Sequence, residues 1–167
     1  MMNFPVTGGT SGHLLGGALD AILLGPWAAI IVMTAVIGLQ ALLFQDGGLV
    51  VLGANIFNMG VLTVVIGYGT YRLFSLLTRG AGGAGLMVAA AAAAWVSVEA
   101  SAVVTALELA VSGTSPLNIA LPAMASVHAL IGIGEGLITA AALSFIRVTN
   151  PGLLAHTAGT MTTGVTR

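Results

Sequence analysis

The 167-residue sequence contains no cysteine and little charge, with four basic and five acidic side chains. Without cysteine there is no disulfide framework and no thiolate metal site. Charged residues make up 5% of the chain, against about 25% in a soluble domain. So few charges cannot solvate the surface of a globule of this size. A formal net charge of −1 leaves no basic face for a nucleic-acid partner. Met1 to Thr10 has no positive n-region and carries Pro5, Gly8 and Gly9, so no cleavable signal peptide is expected there. No hydrolase triad, zinc-protease helix, phosphate loop or dinucleotide fingerprint is present. The runs Gly47-Gly48 and Gly80 to Gly85 lack the lysine or strand context such loops need, so the sequence does not read as an enzyme.

What the chain has in abundance is apolar surface. Hydrophobic residues make up 57% and mean hydropathy is +1.09. Lipid is the solvent that fits. The expected fold is an all-α, polytopic membrane helix bundle with about four full spans and a short first segment, in one transmembrane domain over 1–154 followed by a polar tail over 155–167. The first segment, His13 to Leu24, is short and contains Asp20, and Gly25-Pro26 breaks it. The second span runs from Pro26 to Phe44, followed by a turn at Gln45 to Gly48. The third runs from Leu49 or Gly53 to Leu77, and Thr78 to Gly85 is a flexible loop. The fourth covers Leu86 to Val111, with a turn at Ser112 to Pro116. The fifth, Leu117 to Val148, is over-long, so a tilt or a break near Pro122 or Gly132 to Gly136 is expected.

Arg72, Arg79 and Arg147 fall on one side if the spans alternate, which makes that side cytoplasmic. The turns at Asp46 and at Ser112 to Pro116 then face outward, with His13 at or near the outer interface. The 24 glycines and the run Ala89 to Ala94 let helices approach closely, either within the bundle or as a docking face for a partner subunit.

Polar groups inside spans carry the functional information. Asp20, Glu99, Glu108, His128 and Glu135 are too scattered for a proton relay. His128 and Glu135 share a helix face about 10 Å apart, and the simpler reading is that each bonds a neighbouring helix and pins the bundle. Ser97, Ser101, Thr105, Glu108 and Ser112 form a polar stripe on the fourth span. Ser11, His13, Gln40, Asn55, Asn58 and Glu108 gather in the outer half, where they can line a pocket. An imidazole there suits nickel, cobalt, zinc or copper.

Asn3 to Gly17 (NFPVTGGTSGHLLGG), Leu39 to Asn55 (LQALLFQDGGLVVLGAN) and Val127 to Thr139 (VHALIGIGEGLIT) resemble, in that order, the cobalt/nickel substrate-capture subunits of energy-coupling-factor transporters, the CbiM/NikM type. The likeness runs from Asn3 to about Leu154. It implies a multi-pass subunit of the cell inner (plasma) membrane with a cytoplasmic C-terminus. Such subunits capture a divalent cobalt or nickel ion from outside. They pass it inward with a T-type membrane scaffold subunit and two ATPase subunits, which do the hydrolysis. No cofactor is implied beyond the transported Co2+ or Ni2+. In the family the ion is held largely by nitrogen in a planar arrangement. The amine, a backbone amide and a second-position histidine at the N-terminus contribute, together with a histidine in a Ser/Gly-His stretch. Here that stretch is Thr10-Ser11-Gly12-His13, so His13 inherits the ligand role. Asn55 and Ser11 would support the ligands from behind, and Glu108 is a further candidate. The family opens with Met-His and additional helices, whereas this sequence opens Met1-Met2-Asn3-Phe4. The expectation is a true start upstream, and weak or absent metal binding by a chain that begins at Met1. The contrasting reading is a structural or assembly subunit in which polar groups only pin helices. An ion or proton channel would need polar stripes on several spans, and only the fourth shows one.

Overall fold

The computed structural model describes residues 3–6, 10–45, 47–78 and 81–154. Asp46, Arg79 and the expected tail 155–167 lie outside the described residues. Among those residues, five helical segments make up the bundle. A short helix α1, Gly17–Leu24, comes first. It is followed by α2 (Pro26–Phe44), α3 (Leu52–Leu77), α4 (Gly82–Val111) and α5 (Leu117–Thr149), each long and apolar enough to cross a membrane. With 30 and 33 residues, α4 and α5 reach about 45 and 50 Å at 1.5 Å per residue. Both exceed a hydrocarbon core of about 30 Å. The protein is an integral membrane protein of all-α architecture, as expected.

Local chemistry explains the boundaries. Gly25, at φ +81°, stops α1 in a conformation open to glycine, and Pro26 starts α2 at its first position. The expected loop Thr78 to Gly85 is shorter than the composition suggested, because Gly82 to Gly85 join α4. Thr78 ties this corner by donating its hydroxyl to the carbonyls of Phe74 and Gly85 at 2.8 and 3.1 Å. The expected break in α5 does not occur. Pro122 sits near the helix start, and Gly132 and Gly136 are contact points with α4. π-helical turns occupy Gln40–Phe44, at the end of α2, and Ile56–Leu62, inside α3.

Helix α4 is the centre of the bundle, packed between α3 and α5, while α1 fills the space beside α2 and α3. Alanine favours the helix and lets backbones close up. Ala89, Ala90, Ala93 and Ala94 are fully buried, and Ala89, Ala90 and Ala93 share a cluster with Ile22, Tyr71 and Leu143. The alanine run therefore packs largely inside this bundle, the first of the two readings its sequence allowed. A Cβ on Gly67 of α3 would lie 2.9 Å from the Ala18 Cβ, and one on Gly136 would lie 3.1 Å from the Ala91 carbonyl oxygen. Arg147 lies over Gly83 at the start of α4. Arg72, near the end of α3, stacks on Tyr68, its guanidinium 5.8 Å from the ring centroid. The two described arginines of the spans thus occupy the α3–α4 corner end of the bundle.

One element was not anticipated. Residues Asn3–Val6 (β1) and Thr10–His13 (β2) pair antiparallel, with Asn3 opposite His13 and Val6 opposite Thr10. The short first segment, read as His13 to Leu24, therefore opens on the last residue of a hairpin strand, and its helix starts only at Gly17. The hairpin lies on α5.

Candidate functional site

The hairpin is seated on one face of α5 by three residues at helical spacing, His128, Ile131 and Glu135, exposed by only 7%, 7% and 3%. At its upper end Gly12 of β2 meets the helix. A Cβ on Gly12 would lie 2.5 Å from Ile131 Cδ1 and 3.3 Å from both Cε1 and Nε2 of His128. The His128 ring is oriented by its other nitrogen. Nδ1 lies 2.8 Å from the Met124 carbonyl oxygen, so as the N–H donor it leaves the Nε2 edge turned to the hairpin. At the lower end the Glu135 carboxylate accepts the backbone N–H of Leu15 at 2.8 Å and that of Gly16. Gly16 has φ +81°.

Strand alternation then sets His13. The Gly12 face of β2 is against α5, so Ser11 and His13 share the opposite face. Both are half-buried. His128 stands eleven residues into α5, about 16 Å along its axis. Gly12 and His13 thus lie beside α5 about a third of the way along it from its Leu117 end.

Two of the other candidates meet between α3 and α4. Asn58, in the π-helical part of α3, donates its side-chain amide to Glu108 of α4 at 2.6 Å. Its backbone carbonyl accepts the Ser101 hydroxyl at 3.0 Å. Asn58 Oδ1 is buried without a hydrogen-bond partner. The polar stripe on α4 therefore serves the α3–α4 contact through Ser101 and Glu108, while Thr105 donates to the Ser101 carbonyl of its own helix at 2.9 Å. Asn55 points to the α2–α3 loop, its amide against Gly47. Gln40 is half-buried at the end of α2. Sequence reasoning placed these groups with His13 in the outer half, where they can line a pocket; the structure pairs Glu108 with Asn58 and puts Ser11 and His13 on one strand. Among the described residues no three His, Asp or Glu side chains cluster as a metal cage.

The sequence reading also missed what His128 and Glu135 do. Their seven-residue spacing placed them on one face, but both were expected to bond neighbouring helices. Instead His128 bonds its own helix and Glu135 holds the amides that follow the hairpin. Glu99, on a different face of α4, has one carboxylate oxygen buried without a hydrogen-bond partner.

Comparison with known proteins points the same way. The profile of the family CbiM, described as the cobalt uptake substrate-specific transmembrane region, matches residues 1–153. A protein of Archaeoglobus fulgidus described as a putative fused nickel transport protein NikMN is 40% identical over 156 residues, covering 92% of this chain and 50% of that protein. A cobalt transport protein CbiM of Sorangium cellulosum is 37% identical over 160 residues, covering 92% of this chain and 69% of that protein. A crystal structure of a transition metal transporter superposes with a TM-score of 0.78 at 38% identity, covering 88% of this chain and 69% of that one. The chain spans about half the length of the fused relatives it matches.

Proposed function

The chain belongs to the CbiM family of cobalt uptake substrate-specific transmembrane proteins, and from that premise we propose that it captures divalent cobalt or nickel for uptake, with His13 as a ligand. The observation that carries the reading is the hairpin. A lipid-soluble bundle has no packing need for a polar strand laid on a buried histidine and tied just past its end to a buried glutamate, and such groups are costly in a membrane. Here they hold an imidazole on the face of β2 opposite Gly12, about a third of the way along α5. Neutral imidazole nitrogen suits nickel and cobalt, and the hydroxyl of Ser11 is on the same face to support it.

The same reading places the Arg72 and Arg147 end in the cytoplasm of the plasma membrane, with the C-terminus on that side. A T-type scaffold subunit and two ATPase subunits then supply the energy, and this chain hydrolyses no ATP. The test is nickel and cobalt binding, and cellular uptake with those subunits co-expressed, for the gene product of the native reading frame and its His13→Ala variant. Loss of binding and uptake in the variant is expected. Equal binding without His13, or no binding by either form, overturns the ligand assignment and leaves a structural subunit.

A further inference from the structure

We propose that Glu135 is the latch that fixes the metal-ligand hairpin in the bundle, a positioning residue that sets the geometry of His13 through backbone amides alone. The inference rests on the capture reading above. Glu135 is eighteen residues into α5, about 27 Å along it, and 3% exposed. A carboxylate at such a place is costly unless its oxygens are satisfied. Its carboxylate accepts two successive N–H groups, those of Leu15 and Gly16.

Two consecutive amides meet one carboxylate here, and the left-handed conformation of Gly16, φ +81°, turns the chain from them directly into α1. The Gly16 carbonyl then accepts Asp20 N–H at 2.9 Å, so the same residue ends the hairpin arm and begins α1. The latch therefore joins three elements, α5, β2 and α1, at a point three residues from His13. Because it grips main chain, no side chain of Leu15 or Gly16 has to be polar. A glutamine at 135 keeps the shape but offers one acceptor oxygen and places an N–H against the second amide.

The experiment uses the full gene product in detergent, titrated separately with nickel chloride and cobalt chloride, comparing wild type with Glu135→Gln and Gly16→Ala. The second variant attacks the latch from the hairpin side and leaves α5 unaltered. The expected result in each is faster hydrogen exchange at Leu15 and Gly16, nickel affinity about 10–100-fold weaker, and a changed nickel absorption spectrum, with the thermal midpoint of the bundle held within a few degrees. Unchanged exchange at the two amides in whichever variant folds overturns the latch. Faster exchange with nickel affinity and spectrum unaltered overturns its role in setting the site. Absence of nickel and cobalt binding in the wild type overturns the capture reading, while the exchange rates still decide whether Glu135 holds the hairpin.

Discussion

Helix α5 meets the rest of the protein in two different ways. Against α4 it presents glycine: Gly132 under the Trp95 ring and Gly136 under the Ala91 backbone. Against the hairpin it presents His128, Ile131 and Glu135. The first contact is close, apolar and extended along the helix, and its strength comes from van der Waals packing in a solvent that gives no hydrophobic drive between helices. The second is local and directional. It binds a short strand that has no core of its own, where a two-stranded ribbon alone is marginal at best. One contact makes the bundle; the other aims a segment within it.

The contrast can be broken most forcefully at Gly136. A Cβ there would lie 3.1 Å from the Ala91 oxygen and 3.5 Å from Ala91 Cα, both main chain, which cannot swing aside. Gly136→Leu has to push α4 and α5 apart, and overpacking of this kind costs about 1–3 kcal/mol. The expected outcome is a clear fall in the thermal midpoint of the detergent-solubilised protein, with exchange rising along both helices. A midpoint equal to wild type would mean that the seam is not tightly packed.

Gly12 sharpens the comparison from the other side. Gly12→Ala places a methyl group 2.5 Å from Ile131 Cδ1, the far end of a flexible side chain. The bundle is expected to keep its midpoint while nickel affinity falls about tenfold, in the range seen when groups behind metal ligands are altered. Adding Ile131→Val removes the Cδ1 atom, so the double variant should recover most of the affinity, the non-additivity expected of residues in contact. Titrating nickel into the four proteins of this cycle checks it. Strict additivity would mean that the Gly12–Ile131 contact does not position the hairpin.

The two contacts were not equally legible in the sequence. Spans α2 to α5 follow from hydropathy because lipid demands long apolar helices with their backbone bonds made internally, and their boundaries lie within a few residues of Gly-Pro and Ser-Gly-Thr-Ser-Pro punctuation. Crowded small residues announced close packing, although only the structure shows the Ala89 to Ala94 run packed mainly within the chain itself. The seat was opaque. Glu135 bonds amides about 120 residues away in sequence, and main-chain partners leave no trace in side-chain chemistry. The hairpin was hidden for a similar reason: Thr10-Ser11-Gly12-His13 shows no apolar alternation, since its inward residue is a glycine. His13 itself was found by family resemblance, and its depth came from the Gly12–His128 contact, which no periodicity encodes. Glu108 was recognised as an acid near the outer end of its span, but its amide partner Asn58 sits on a π-helical turn that shifts the helix register.

The smallest expected effect tests whether the seam really lacks a directional component. Trp95 donates its indole N–H to the Ala129 carbonyl at 3.1 Å, one turn before the Gly132 contact. In a helix that carbonyl already accepts the amide four residues on, so the indole uses its second lone pair and its removal leaves no unsatisfied acceptor. Trp95→Phe keeps an aromatic ring over Gly132 and removes only the donor. Interhelical hydrogen bonds in membranes average about 0.6 kcal/mol, so the variant should lose about that much stability and bind nickel as wild type does. Unfolding of both proteins in mixed micelles would measure the difference. A loss above about 2 kcal/mol would mean that a single directional bond governs the α4–α5 seam, and the division between a packed seam and a bonded seat would no longer hold.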